Sequence, residues 1–159
     1  MKRKTTLSTF ALIISLIAVL ACFASCGADE QLEFVPPPFD EGAVLGTPDV
    51  ENLEALGYKE LDAQGYKVAV CGKVTLSGES ADIYLTNPET NEVWFKLRIL
   101  DQQGNILGET GLIRPGEYVK TITFQKVPKV GDKIIMKVMG YEPDTYYSAG
   151  VVNLNTMVF

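Results

Sequence analysis

The chain has no histidine among its 159 residues. This removes the commonest general base, the usual activator of serine and cysteine nucleophiles, and the commonest metal ligand. Cysteine is scarce too: Cys22 and Cys26 close an apolar run, and Cys71 alone stands in the body of the chain. A multi-bridge framework of the kind that staples small secreted domains is therefore excluded. Positive charge is in deficit, with 14 Lys and Arg against 20 Asp and Glu. A protein that neutralises phosphates needs a basic stripe, so no nucleic-acid partner is expected. No G-x-x-x-x-G-K, H-E-x-x-H or C-x-x-C occurs, and the usual phosphate and metal signatures are missing with them.

What is present begins with Lys2, Arg3 and Lys4, followed by an apolar run from Phe10 to Leu20 and no charge before Asp29. A basic start and a run of this length fit the n- and h-regions of a secretory signal. Spanning a membrane takes roughly 20 apolar residues, so an uncleaved anchor competes, as does ordinary cleavage after Ala24. The ending, Ala21-Cys22 and then Ala24-Ser25-Cys26, resembles bacterial lipoprotein signals over residues 2–26. That resemblance implies a cysteine lipidated on sulfur that becomes the first mature residue. Cys26 fits better, with two small residues before it and Gly27-Ala28-Asp29-Glu30 after it; Cys22 is the alternative. The implied partner is a membrane, held through an N-terminal lipid anchor at the extracytoplasmic face of the cell membrane. Two acyl chains are what stable attachment requires.

Charge marks the next boundary. Residues 26–65 hold ten acidic residues against Lys59 alone, with Pro36-Pro37-Pro38 and Gly46-Thr47-Pro48, whereas from Tyr66 onward the signs balance at ten each. An acidic, proline-containing segment favours open, extended conformations. It is expected to be a tether between a signal peptide at 1–25 and a domain at 66–159. Val50, Leu53, Leu56 and Leu61 interrupt it with enough apolar spacing for one short helical turn or for packing against the domain edge.

From Tyr66 the hydrophobic period is two. Val68 and Val70 alternate with Lys67 and Ala69; Ala81, Ile83 and Leu85 with Asp82 and Tyr84; Val93, Phe95, Leu97 and Ile99 with Trp94, Lys96 and Arg98. Turn signals stand at Ser77-Gly78, Asn87-Pro88, Gln103-Gly104-Asn105, Pro115-Gly116 and Pro128 to Asp132. Strand-period segments at this spacing predict an all-β fold, a single antiparallel sandwich of about seven strands. The stretch "NPETNEVWFKLRILDQQGNILGETGLIRPGEYVKTITF" resembles bacterial immunoglobulin-like and fibronectin-III-like surface modules in its Asn-Pro, D-x-x-G and L-x-P-G-type turns. "KVMGYEPDTYYSAGVVNLNT" is similar to the C-terminal strands of small extracytoplasmic proteins of Gram-positive bacteria. The resemblance implies an immunoglobulin-like sandwich that lacks the paired core cysteines.

Chemistry is harder to find. Cys71 has no histidine to activate it and is expected to be a buried small hydrophobe; were Cys22 the lipidated residue, Cys26 could bridge to it. The acidic pairs Asp101 with Glu109 and Glu142 with Asp144 sit at turns. The oxygens of Asn87, Glu89, Asn91 and Glu92, and of Asp101, Gln103 and Asn105, match no calcium-loop spacing. No catalytic residue, cofactor or metal is expected, and the chain is read as non-enzymatic. One surface is left: Tyr141, Tyr146 and Tyr147 crowd one loop, and with Trp94 they are the candidate binding residues, since loop aromatics offer rigid area at low entropic cost. The first expectation is contact with an envelope protein, the alternative a carbohydrate or cell-wall glycan module.

Overall fold

Two antiparallel sheets stack face to face in the computed structural model, which describes residues 34–63 and 65–159. In chain order the strands are β1 (Ala43–Leu45), β2 (Tyr58–Asp62), β3 (Lys67–Cys71), β4 (Leu76–Ser77), β5 (Ser80–Asn87), β6 (Trp94–Leu100), β7 (Ile106–Glu109), β8 (Glu117–Thr123), β9 (Lys133–Tyr141) and β10 (Ser148–Met157). One sheet runs β1-β8-β5-β3-β2 with β4 on β5, and the other runs β10-β9-β6-β7. The one helical element among the described residues is a 3₁₀ turn, Leu53–Leu56. No described helix is long and apolar enough to cross a membrane. Residues 1–25, with Cys22, and Cys26 beyond them lie outside the described residues.

Period-two alternation builds the core. Val68, Val70, Ile83, Leu85, Val119 and Ile122 of the first sheet meet Phe95, Leu97, Ile99, Ile134, Met136 and Val138 of the second, all essentially without exposure. Burying each such side chain is worth roughly 1.5–3 kcal/mol. Alternation breaks at Tyr84, a non-glycine residue at φ 44 inside a register shift between Asp82 and Leu85. This bulge adds an unpaired residue, so Ile83, Tyr84 and Leu85 are all buried in succession.

The folded unit starts near Pro36 rather than at Tyr66. Two of the three strands beyond the expected seven come from the segment expected to be a tether: β1 pairs with β8, and β2 pairs with β3 from Tyr58 opposite Cys71 to Asp62 opposite Lys67. The third, β4, is the two-residue strand Leu76–Ser77, which pairs with the start of β5. The physical reason for the earlier start is that edge strands need one apolar face or none. Backbone pairing and a few contacts from Ala43 and Leu61 suffice, while the outward charges protect the edge from further pairing.

Three local devices fix the sheets on each other. Asn87, fully buried, donates its side-chain amide to the carbonyls of Val93 (2.7 Å) and Ile113 (3.0 Å), and its Oδ1 accepts from Asn91 Nδ2 (2.7 Å). Tyr66 lays its ring over Gly140, where a Cβ would sit 2.8 Å from its Cε1, and its hydroxyl reaches that backbone without closing a hydrogen bond. Residues 38–42 form a strap: Asp40 N donates to Leu112 O (2.9 Å), Leu112 N to Pro38 O (2.9 Å), and Gly111 N to Asp40 Oδ2 (2.7 Å). The strap passes so close that a Cβ on Gly111 would lie 2.5 Å from Asp40 N.

Candidate functional site

Trp94 begins β6 with its side chain on the outer face of the four-stranded sheet, because its neighbour Phe95 points into the core. Register sets Trp94 opposite Tyr141 on β9, and residues directly opposite share one face. The Tyr141 hydroxyl reaches the sulfur of Met139 at 3.7 Å on the same face. Two further rings pack edge-on against Trp94: Phe39 of the strap, with centroids 4.9 Å apart, and Tyr146 of the β9–β10 loop, at 5.4 Å. The Arg114 guanidinium lies 3.4 Å from the Phe39 ring centroid, a cation–π contact that caps the cluster.

The β9–β10 loop is held in a strained shape. Asp144 and Tyr146 adopt φ of 65 and 57, a region that costs non-glycine residues about 1 kcal/mol or more and that persists only where surrounding structure enforces it. Enforcement comes from Glu142 N donating to Tyr147 O (2.8 Å), Tyr146 N to Glu142 O (3.0 Å), and Thr145 Oγ1 to Glu142 Oε2 (3.2 Å). With Tyr146 half-buried against Trp94 and Tyr141 half-buried opposite it in register, Tyr147 is left 71% exposed at the loop. Of the four residues expected to bind, Trp94 and Tyr146 pack ring against ring, Tyr141 stands across from Trp94 on the same face, and Tyr147 projects from the loop. Phe39 and Arg114 join them although nothing in the sequence singled them out. Phe39 lies in an acidic, proline-containing stretch, and its partner residues are more than 50 positions away.

Several of the remaining chemical candidates are occupied in structural roles. Glu109 bridges Lys96 (3.0 Å) and Arg98 (2.9 Å); burial pushes its carboxyl up, but hydrogen bonds from Arg98 and Lys96 outweigh burial and hold it below the usual range. Asp101 is held low by the Asn105 side chain and accepts the backbone N–H groups of Gln103 and Asn105, a hairpin-closing arrangement rather than a cation loop. Asn91 is spent on Lys67 and Asn87. Among the described residues no group of three or more Cys, Asp and Glu converges on a point. Cys71 is fully buried and unbridged, and burial, with a smaller push from Asp82, raises its thiol to about 11. A thiol so placed is nearly all protonated at neutral pH, and the thiolate is the reactive form.

No family model, no curated protein and no solved structure matches this chain.

Proposed function

We propose that this chain is a non-enzymatic lipoprotein, anchored at the extracytoplasmic face of the cell membrane through Cys26 or Cys22, whose immunoglobulin-like sandwich mediates protein contact or assembly at the envelope. The observation that carries the contact reading is the β9–β10 loop. An exposed tyrosine stands on a backbone held in strained φ and braced by a tryptophan, which reduces the ordering cost of recognition. Strand partition supports the immunoglobulin-like reading. Setting aside β1, β2 and β4, the first, second and fifth strands share one sheet and the third, fourth, sixth and seventh the other, so that the fourth lies where a C′ strand joins the GFC sheet and not beside E as a constant-type D strand would. The anchor rests on the residues of the signal segment alone.

A glycan-binding alternative finds some support in the exposed Tyr147 ring, which offers a stacking surface. Against it, Trp94 is flanked by Phe39 and Tyr146 instead of lying open as a platform. The test is affinity capture from native envelope with the full chain, beside Tyr147→Ala and a glycan array. A protein captured by wild type and lost in the variant supports contact. Glycan binding that the variant loses would replace it with the alternative, and capture indifferent to Tyr147 would remove the loop from both readings. Mass analysis of Cys22→Ala and Cys26→Ala checks the anchor, which fails if neither substitution removes lipid.

A further inference from the structure

The three other sheet edges are protected: β1 and β7 are short, with three and four residues, and β2 carries Lys59, Glu60 and Asp62. The remaining edge, β10, is ten residues long and, among the described residues, pairs along its length on one side only, with β9. No charged residue occurs from Thr145 to Phe159, and Val151 (46%) and Met157 (40%) are exposed large hydrophobics. Long, uncharged edges are what soluble proteins avoid unless something pairs with them.

Hydrogen-bond direction shows which part of this edge is open. Phe95 exchanges hydrogen bonds with Ile113, away from β9, so its neighbours Trp94 and Lys96 turn their backbone groups toward β9. Alternation then turns Ile134, Met136 and Val138 toward β10, where their partners are Thr156, Leu154 and Val152. Val158 agrees: it donates to Asp132 O and accepts from Gly131 N. Val151, Asn153 and Asn155 therefore direct their N–H and C=O groups outward. Beyond them the edge is closed, because Thr156 Oγ1 bonds Gly72 O and Phe159 N bonds Val74 O.

We propose that this open stretch pairs with the same stretch of a second copy, antiparallel, about a two-fold axis through Asn153. The argument for a second copy is that the stretch is complementary to itself. In this register Asn153 faces Asn153, Val151 and Asn155 exchange main-chain hydrogen bonds with Asn155 and Val151, and about six such bonds form. On the core-side face Val152 meets Leu154 of the second copy and Leu154 meets Val152, apolar against apolar. A shift by one residue would set outward-facing groups against inward-facing ones and reverse the side-chain faces. The shallow groove of about 380 Å³ beside β10, lined by Gly57, Gly72, Leu154 and Phe159, lies on the side toward which the second copy's Leu154 points. A closed two-fold contact of this kind joins the two four-stranded sheets into one and leaves each Tyr147 loop at an opposite end.

The test is sedimentation of the full chain in density-matched detergent, with Asn153→Lys, Asn153→Glu and their equimolar mixture. Asn153 is exposed, so an unchanged urea midpoint for each variant shows that its fold is kept. Wild type is expected to dimerise with concentration. Each variant alone should dimerise at least tenfold more weakly, since like charges then face each other across the axis, and the mixture should recover as a heterodimer. Wild type monomeric to millimolar concentration would overturn the proposal, leaving the edge to another protein or to another part of this chain. So would single variants that dimerise like wild type, or a mixture that does not recover.

Discussion

The Phe39 ring packs edge-on against Trp94, 4.9 Å between centroids, tying a segment that sequence composition marks as open chain to the outer face of the four-stranded sheet. Trp94 is the chain's single tryptophan, so its fluorescence reports this contact without interference. Phe39→Ala should shift Trp94 emission to longer wavelength in the folded state and cost about 1–2 kcal/mol, less than a fully buried phenylalanine because Phe39 is half-buried. Unchanged emission would mean that the strap does not cover the indole.

Asn87 should be far more sensitive than its small size suggests. Replacing it with alanine removes three hydrogen bonds and leaves the half-buried Val93 carbonyl without its donor, whereas Ile113 O keeps Phe95 N and Asn91 Nδ2 keeps Lys67 O; an unsatisfied buried group costs roughly 1–3 kcal/mol. Urea denaturation of Asn87→Ala is expected to show a loss of about 2 kcal/mol, and Asn87→Asp a comparable one, because it cannot donate to either carbonyl.

Tyr66 and Gly140 make opposite predictions at one contact. Gly140→Ala drives a methyl to 2.8 Å from the Tyr66 ring and should cost about 1–3 kcal/mol through overpacking. Tyr66→Phe removes a buried hydroxyl that lies near the Gly140 backbone but makes no well-formed hydrogen bond with it. It should be neutral or stabilising by up to about 1 kcal/mol. A marked destabilisation by Tyr66→Phe would show that the hydroxyl is bonded after all.

Acid should weaken the fold partly through Glu109. Its carboxyl is held below the ordinary value of 4.5 by Arg98 and Lys96 against the opposing effect of burial. The stability it contributes is therefore fully present above the unfolded pKa and is lost as pH falls through the lower folded value. Glu109→Gln should flatten the dependence of the urea midpoint on pH below about 4.5. An identical slope in the variant would remove Glu109 as the titrating group.

Cys71 behaves in the reverse sense. Its thiol is raised from 9.0 to about 11 by burial, so its contribution holds below the unfolded pKa and declines as pH rises from about 9 toward 11. At neutral pH the native protein should leave this thiol unlabelled by Ellman's reagent for as long as it stays folded, with full labelling in urea. Rapid labelling without unfolding would contradict its burial.

The central strands were legible because one buried face imposes strict alternation: Phe95, Leu97 and Ile99 on β6 and Ile134, Met136 and Val138 on β9 announce themselves. β1 and β2 were not, since an edge strand with half-buried residues such as Ala43 and Leu61 leaves little periodicity, and prolines and carboxylates dominate the composition around it. Tyr84 also escaped, because a bulge adds a residue without a sequence signal. The aromatic residues Trp94, Tyr141, Tyr146 and Tyr147 could be picked out by type and loop position. That Trp94 meets Tyr141 depends on the register of strands separated by more than 30 residues, which no local pattern encodes.

The strap has a mechanical consequence. A pull on the chain ahead of Pro38 first loads the short ladder between residues 38–40 and Gly111–Leu112, together with the Phe39 ring wedged between Trp94 and Arg114. Next in line is β1, three residues zipped to β8. Tension arriving from that end would therefore peel away a small sacrificial segment while β5, β6, β8 and β9 stay paired. Peeling uncovers the Trp94 face and the β8 edge together, so a stretched chain would present a different surface from a relaxed one.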